Sequence, residues 1–298
     1  MIKPDWIAVD WGTSNLRAWA MGPSGILAEA SSEAGMASLG RDDYEPALLA
    51  LIGDWLAETA PPIVACGMVG SRQGWAEAPY RALPCTPVAL GELIPVLTHD
   101  PRLNVRIVPG LKQVKPADVM RGEETQIAGA LALLRDFDGI LCLPGTHSKW
   151  VHVSAGEVVS FQTFMTGEMF ALLADQSVLR HCIGAGWDAA AFDAGLSEAL
   201  SRPEKIAARL FTLRAESLLE NLAPSALRAR LSGLLIGIEL AAAKPYWLGQ
   251  RVVLIGAPTL SAHYAHALQI QGVTPETLDV TACTLSGLAT ARGLLSKV

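Results

Sequence analysis

The chain has 298 residues, 51% of them hydrophobic and 17% charged, with a formal net charge of -6. This composition excludes a disordered chain and fits one large or two medium packed domains. The acidic balance, without any Lys/Arg block, argues against nucleic acid as a partner. Five scattered cysteines at 66, 85, 142, 182 and 283 form no C-x-x-C motif. They fit small reduced thiols in the cytoplasm. The first residues run straight into an apolar segment, so no signal peptide is expected. The most apolar helical stretch, 231–243, is too short to cross a bilayer and contains Glu239, so no membrane contact is expected.

In chain order, 7–9 and 16–21 read as the two strands of a hairpin, with a third strand near 25–30. The hairpin tip gathers Asp10, Gly12, Thr13, Ser14 and Asn15. Glycine lets the backbone approach an anion, consecutive turn N–H groups form an anion-binding nest, and a carboxylate holds a hard cation such as Mg²⁺. This tip suits a metal-bound polyphosphate such as ATP. The apolar spacing at 48, 49, 51, 52, 55 and 56 predicts a helix over 44–58, stopped by Pro61-Pro62. A buried strand at 63–66 leads into a glycine-rich loop at 67–75. Another short strand covers 106–109, and a helix covers 123–134.

A second unit starts with a buried strand at 139–143 that ends in Pro144-Gly-Thr-His-Ser-Lys-Trp150. Its hairpin partners are 150–153 and 158–163. A helix-rich stretch follows over 167–244, broken near 184–186 and at Pro203. The strand 252–255, a Gly256-Ala-Pro-Thr259 turn, a helix over 261–269 and a closing helix over 284–295 complete the reading. One echo stands out: strand, Gly-Thr, polar pair and strand occur at 8–19 and again at 141–153, with Asp10 aligned on Leu143. The pattern suggests two related lobes that each offer a turn to one phosphate chain. Chance likeness between two Gly-Thr turns is the competing explanation.

Five ordered blocks carry a resemblance. They are Val9-Asp-Trp-Gly-Thr-Ser-Asn-Leu-Arg17; Gly67-Met-Val-Gly-Ser-Arg-Gln-Gly-Trp75 with Glu77-Ala-Pro-Tyr80; Asp118-Val-Met-Arg-Gly-Glu-Glu-Thr-Gln126; Leu143-Pro-Gly-Thr-His-Ser-Lys-Trp150; and Thr163-Phe-Met-Thr-Gly-Glu-Met-Phe170. Together they resemble the actin / sugar kinase / heat-shock-70 ATPase superfamily and, within it, the 2-dehydro-3-deoxygalactonokinase family. The resemblance implies an α/β chain of two lobes of ribonuclease-H-like, actin-like ATPase fold with a cleft between them. It also implies ATP-dependent phosphorylation of the terminal C6 hydroxyl of 2-dehydro-3-deoxy-D-galactonate, with ATP and Mg²⁺ as cofactors. The first lobe is expected over 1–120, completed by a helix at 284–298, and the second over 121–283.

On this resemblance, Asp10 is the metal-side carboxylate. Thr13, Ser14 and Asn15 serve the phosphates from the first turn, and Gly145, Thr146, His147 and Ser148 serve them from the second. Leu143 stands where Asp10 does, so the second turn departs from relatives with a carboxylate in both. Lys149 either adds charge at that turn or faces solvent. The general base falls at the start of the 123–134 helix, where Glu123 and Glu124 are both candidates. A carboxylate there also complements the helix dipole. Arg121 beside them either steadies transferring phosphate or binds the acceptor carboxylate. For that carboxylate a bidentate guanidinium is needed, and Arg72 leads, flanked by Ser71 and Gln73. Trp75 forms a sugar wall or packs the loop, and Thr166 and Glu168 are expected to meet the acceptor. Gly256, Ala257 and Thr259 leave room for the nucleoside.

Three readings stay open beside this one: a kinase for another sugar acid or sugar, a phosphoanhydride hydrolase, and a non-catalytic nucleotide-dependent binding protein. A homodimer also stays open.

Overall fold

Strand β1 (Trp6–Trp11) shows how the first sheet is built. Ile7, Val9 and Trp11 bury against one core, while Trp6 and Ala8 bury against another. Side chains alternate along a strand, so a sheet covered on both faces reads as a nearly continuous apolar run. β1 pairs antiparallel with β2 (Leu16–Gly22), and β2 pairs antiparallel with β3 (Gly25–Ser32). Helix α1 (Tyr44–Ile52) covers the Ile7 face through Tyr44, Leu48 and Ile52. β4 (Pro62–Gly67) lies parallel to β1.

Four short strands follow: β5 (Arg81–Ala82), β6 (Ile94–Pro95), β7 (Asn104–Ile107) and β8 (Leu111–Gln113). With β9 (Asp118–Met120), β5 and β8 form a small three-stranded sheet. Helix α2 (Glu123–Leu133) comes next.

The second sheet repeats the plan with β10 (Gly139–Leu143), β11 (Ser148–Ser154) and β12 (Glu157–Phe164). Then come α3 (Thr166–Asp175), α4 (Ala189–Ser201), α5 (Ile206–Leu219), α6 (Pro224–Ala242) and the single turn α7 (Lys244–Trp247). β13 (Val252–Gly256), α8 (Pro258–Ile270), β14 (Glu276–Asp279) and α9 (Val280–Leu295) finish the chain as described. One sheet runs β3-β2-β1-β4-β7-β6 and the other β12-β11-β10-β13-β14. In both, an antiparallel hairpin precedes a crossover to a parallel strand on the other side of the first strand. Such crossovers need an intervening helix or a long connection.

This computed structural model describes residues 2–56 and 60–295. It divides into two units. One comprises the chain up to Phe137, Val153–Ser160 and the segment from Val280 onward, and the other Asp138–His152 with Phe161–Asp279. Helix α2 thus groups with the first unit, whereas the sequence reading drew its boundary at 120/121. In the first unit α9 packs on α2, and no side chain separates their backbones. A Cβ on Gly129 would sit 1.8 Å from the Cys283 carbonyl oxygen. In the second unit α4, α6 and α8 share one core with Ile140, Cys142, Val252 and Leu254.

Several boundaries differ from those expected. α1 ends at Ile52, and Gly53–Trp55 form a 3-10 turn in place of the rest of the 44–58 helix. Residues 57–58 of that expectation, and 296–298 of the closing helix, lie outside the described residues. α8 starts at Pro258 rather than 261, because proline is well placed in a first helical turn. α9 starts at Val280 rather than 284.

Candidate active site

The first phosphate-type turn joins β1 to β2. Gly12 N–H donates to the Asn15 carbonyl at 2.9 Å and closes the turn. The Gly12 and Thr13 carbonyls accept from Met36 and Ala37 N–H, at 3.1 and 2.9 Å. Thr13, Ser14 and Asn15 are exposed. Gly35 presses on the turn so closely that a Cβ there would lie 2.4 Å from the Thr13 carbonyl oxygen. Asp10 is the penultimate residue of the strand behind it. Its Oδ2 pairs with Arg17 at 2.5 Å, and its Oδ1 faces the Cys66 thiol at 3.8 Å.

Close to Asp10 and Cys66 lies the start of α2. Gly122 takes φ +104°, which favours glycine, and its Cα face lies against Gly67. Glu123 is partly exposed and accepts the Arg121 N–H at 3.0 Å. Glu124 is fully buried, accepts the Gly122 N–H at 2.7 Å and the Thr125 hydroxyl at 3.2 Å. Burial, reinforced by the neighbouring Glu123, raises its carboxyl to about 8. At neutral pH this group is mostly protonated.

Arg121 is half-buried. One terminal nitrogen donates to the Ala78 carbonyl at 2.7 Å, and the guanidinium lies 4.3 Å from the centre of the Tyr80 ring. Its Nε and Nη1 are buried and have no hydrogen-bond partner, and neither has the Ser71 hydroxyl. Buried donors left unpaired cost free energy, so these atoms mark a place where a ligand's acceptors would be stabilised. Arg72 and Gln73 are exposed on the glycine-rich loop, and the Arg72 carbonyl accepts from Arg41 at 3.1 Å. Trp75 packs its loop, the second of the two roles read for it from the sequence. Its ring packs near Tyr44 and edge-on to Trp11, with centroids 6.3 and 6.1 Å apart, so it anchors the loop to the first core.

In the second unit, the turn between β10 and β11 borders a cavity of about 770 Å³. Gly145, Thr146, Thr166 and Gly167 form one wall, and Ala257, Thr259, His263 and Tyr264 another. Phe170, Trp187, Arg228 and Ser232 also line it. The N-terminus of α3 presses on the turn through Gly167, where a Cβ would lie 2.3 Å from the Gly145 carbonyl oxygen. Glu168 N–H donates to the Thr146 carbonyl at 3.0 Å, and the Glu168 carboxylate pairs with His147 at 2.7 Å. Lys149 is buried rather than solvent-facing, and its ammonium donates to the His147 carbonyl at 3.2 Å. Trp187 stacks on His263 with centroids 3.9 Å apart. Of the two residues read from sequence as acceptor contacts, Glu168 is hydrogen-bonded to this turn and Thr166 lines the cavity.

Beneath the turn lies Glu239, only 2% exposed. Trp150 Nε1 donates to it at 2.8 Å, Tyr264 OH donates at 2.7 Å, and the Thr166 hydroxyl donates as well. Burial pushes its carboxyl up, and the bonds from Thr166, Tyr264, Trp150 and Ser148 pull it back.

The 2-keto-3-deoxy-galactonokinase family matches residues 10–291. The chain belongs to this family. Members named for that activity align along nearly the whole chain. A Rhizobium meliloti protein named "Probable 2-dehydro-3-deoxygalactonokinase" is 40% identical over 95% of both chains. The 2-dehydro-3-deoxygalactonokinase of Escherichia coli is 38% identical over 93% of this chain and 92% of its own. A crystal structure from Sinorhizobium meliloti, described as a "putative 2-dehydro-3-deoxygalactonokinase", superposes with TM-score 0.91. It is 37% identical, and the match covers 98% of this chain and 97% of that one. MreB 5 of Spiroplasma citri superposes with TM-score 0.51 at 10% identity over 98% and 97% of the two chains. That likeness carries the fold alone: this galactonokinase-family chain has the actin-like ATPase fold of the sugar kinases. As a carbohydrate kinase it uses ATP. No helix among the described residues is long and apolar enough to cross a membrane.

Sequence reasoning about this galactonokinase-family chain missed Glu239, Tyr264, Arg228 and the Trp187–His263 stack. Glu239 left one signal: it is the only charged residue in the apolar stretch 231–243. A carboxylate fixed in such a stretch is buried only when partnered. The cavity-lining aromatic residues left none, since an aromatic in a helix-rich stretch reads as core.

Proposed function

We propose that this chain transfers the γ-phosphate of ATP to the C6 hydroxyl of 2-dehydro-3-deoxy-D-galactonate in galactonate catabolism, in the cytoplasm. The observation that carries the donor side is the cavity of about 770 Å³ bounded by a Gly-Thr turn. It has the size of a small-molecule site, apolar walls and a few convergent polar groups. The acceptor follows from the names of the relatives at 38–40% identity.

In this reading the cavity takes the nucleoside, with Ala257 and Thr259 in its wall and Gly256 at the end of β13 just before them. Gly145, Thr146, His147 and Ser148 hold phosphate in the second unit, and Thr13, Ser14 and Asn15 do so in the first. The two units are the two lobes of the kinase. Asp10 would hold a Mg²⁺ ion through Oδ1, the carboxylate oxygen outside the Arg17 pair. Such an ion would neutralise charge on the phosphates.

Glu123 is the general base, since it alone of the two carboxylates at the head of α2 reaches solvent. It takes the proton of the attacking hydroxyl. Glu124, largely protonated, fixes the Gly122 backbone. Arg121 supplies its unpaired N–H groups to the acceptor or to the phosphoryl group in transfer. Arg72, with Ser71 and Gln73, binds the acceptor carboxylate. Trp75 holds their loop.

The test measures ATP turnover with and without a panel of 2-keto-3-deoxy sugar acids. Turnover that depends on the galactonate-derived acid supports the reading. Turnover without any acceptor would make the chain a hydrolase. Turnover only with neutral sugars would make it a different kinase.

A further inference from the structure

A buried carboxylate that touches no substrate usually serves something that does. Glu239 sits at the centre of a hydrogen-bond relay made wholly of second-unit residues. Trp150 can only donate through its indole N–H, and Glu239 Oε1 accepts that bond at 2.8 Å. Glu239 Oε2 accepts from both Thr166 Oγ1 and Tyr264 OH. Each hydroxyl has one proton, so both protons are spent on Glu239. Ser148 joins the same cluster: its Oγ lies 2.9 Å from the Tyr264 hydroxyl, bonds Glu239 as well, and accepts the Gly145 N–H at 3.4 Å.

Thr166 and Tyr264 both line the cavity, and Ser148 belongs to the turn that borders it. We propose that Glu239 is a positioning residue for the nucleotide. By taking the hydroxyl protons of Thr166 and Tyr264, it makes Thr166 present an oxygen lone pair, and no proton, to the cavity. The ligand group that fits opposite is a hydrogen-bond donor, such as a ribose hydroxyl or the exocyclic amine of a base. The inference rests on the reading of this cavity as a nucleotide site.

Glu239→Gln keeps the volume and still accepts from Trp150. Its amide N–H₂, however, faces Thr166 and Tyr264, so both hydroxyls must turn their protons away from residue 239. Thr166 would then offer a proton to a ligand donor, and Tyr264 would donate to Ser148. A mismatched polar pair inside a site costs about tenfold in affinity or more.

The experiment titrates ADP and the non-hydrolysable AMPPNP against the full chain by calorimetry, and reads steady-state KM values for ATP and acceptor. The variants are Glu239→Gln, Thr166→Val and their combination. The expected result for Glu239→Gln is a nucleotide Kd raised about tenfold, with the KM for ATP rising alongside and the KM for acceptor unchanged. Thr166→Val should weaken nucleotide binding similarly. Because one acts through the other, the double variant should lose no more than the larger single loss.

Wild-type affinity in a folded Glu239→Gln protein would overturn the proposal, and so would additive losses in the double variant. If Glu239→Gln does not fold, Thr166→Ser against Thr166→Val decides: serine should retain nucleotide binding and valine lose it, and equal affinities overturn the proposal. Wild-type protein that binds no nucleotide overturns the cavity reading together with this inference. Tight wild-type binding with unmoved variants overturns this inference alone.

Discussion

The two Gly-Thr turns of this chain are built alike and supported differently. Each follows the first strand of a sheet whose hairpin lies to one side and whose parallel strand lies to the other. Each is buttressed by a distant glycine, Gly35 against Thr13 and Gly167 against Gly145. In each, the threonine carbonyl accepts an N–H from the segment carrying that glycine, Ala37 in one case and Glu168 in the other. The charge behind the turn is where they part. The first strand carries Asp10 as its penultimate residue, partly exposed and paired with Arg17. The second ends in the buried Leu143, and the carboxylate there is Glu239, brought from α6 to the underside. The difference teaches that one turn keeps its carboxylate on its own strand, partly exposed and paired with a guanidinium. The other uses its carboxylate as a mount for hydroxyls.

The comparison can be broken at several points. Asp10→Asn should have the largest effect, a loss in kcat on the order of a thousandfold, about 4 kcal/mol of transition-state stabilisation. Mg²⁺-dependent turnover measures it, and activity within tenfold of wild type would remove Asp10 from the metal side.

Next comes the buried pair Glu124 and Glu239, one in each unit. The folded-state pKa of Glu124, about 8, lies above its unfolded value. The folded protein therefore binds the extra proton, and stability falls as pH rises from about 4.5 toward 8. Glu124→Gln removes that fall, a relative gain on the order of 3 kcal/mol at pH 9 over pH 5. Urea midpoints at the two pH values test it, and parallel shifts in both proteins would contradict it.

The glycine buttresses should be felt somewhat less. Gly35→Ala and Gly167→Ala each force a backbone to give way, at a cost of about 2 kcal/mol. Thermal unfolding would report similar losses if the two turns are equivalent mounts. Gly167→Ala should in addition raise the KM for ATP. Arg72→Lys should have the smallest effect, about a tenfold rise in the KM for the keto acid through loss of bidentate binding. An unchanged KM would shift that role to Arg121.

Much of the sheet structure could be read from the sequence because its signals are local. The buried strands at 7–9, 63–66, 139–143 and 252–255 are short apolar runs bounded by glycine, proline or polar turns, and each is a strand in the fold. The three-stranded sheet of β5, β8 and β9 escaped notice because two or three residues carry no period. The echo between the turns was visible as Gly12-Thr13 and Gly145-Thr146, and the matching strand orders give it a structural basis. The distant supports were not visible. Nothing around Gly35 or Gly167 says which backbone it touches, and Glu239 lies far from the turn in sequence. Only folding shows that Glu123 reaches solvent while its neighbour is sealed, because adjacent helix residues differ in direction by about 100°.

The packing of α9 on α2 has a consequence for how the molecule is made. The helix that carries Glu123 and Glu124 leans, through Gly129 and Cys283, on a helix that follows the whole second unit in sequence. Chains emerge from the ribosome in order, and domains fold as units when their parts are present. The core of the second unit contains no residue of α9, so it closes without that helix. The head of α2 gains its support only afterwards. On the proposed reading of the second-unit cavity as the nucleotide site, a released chain ending before Val280 should bind nucleotide without turning it over.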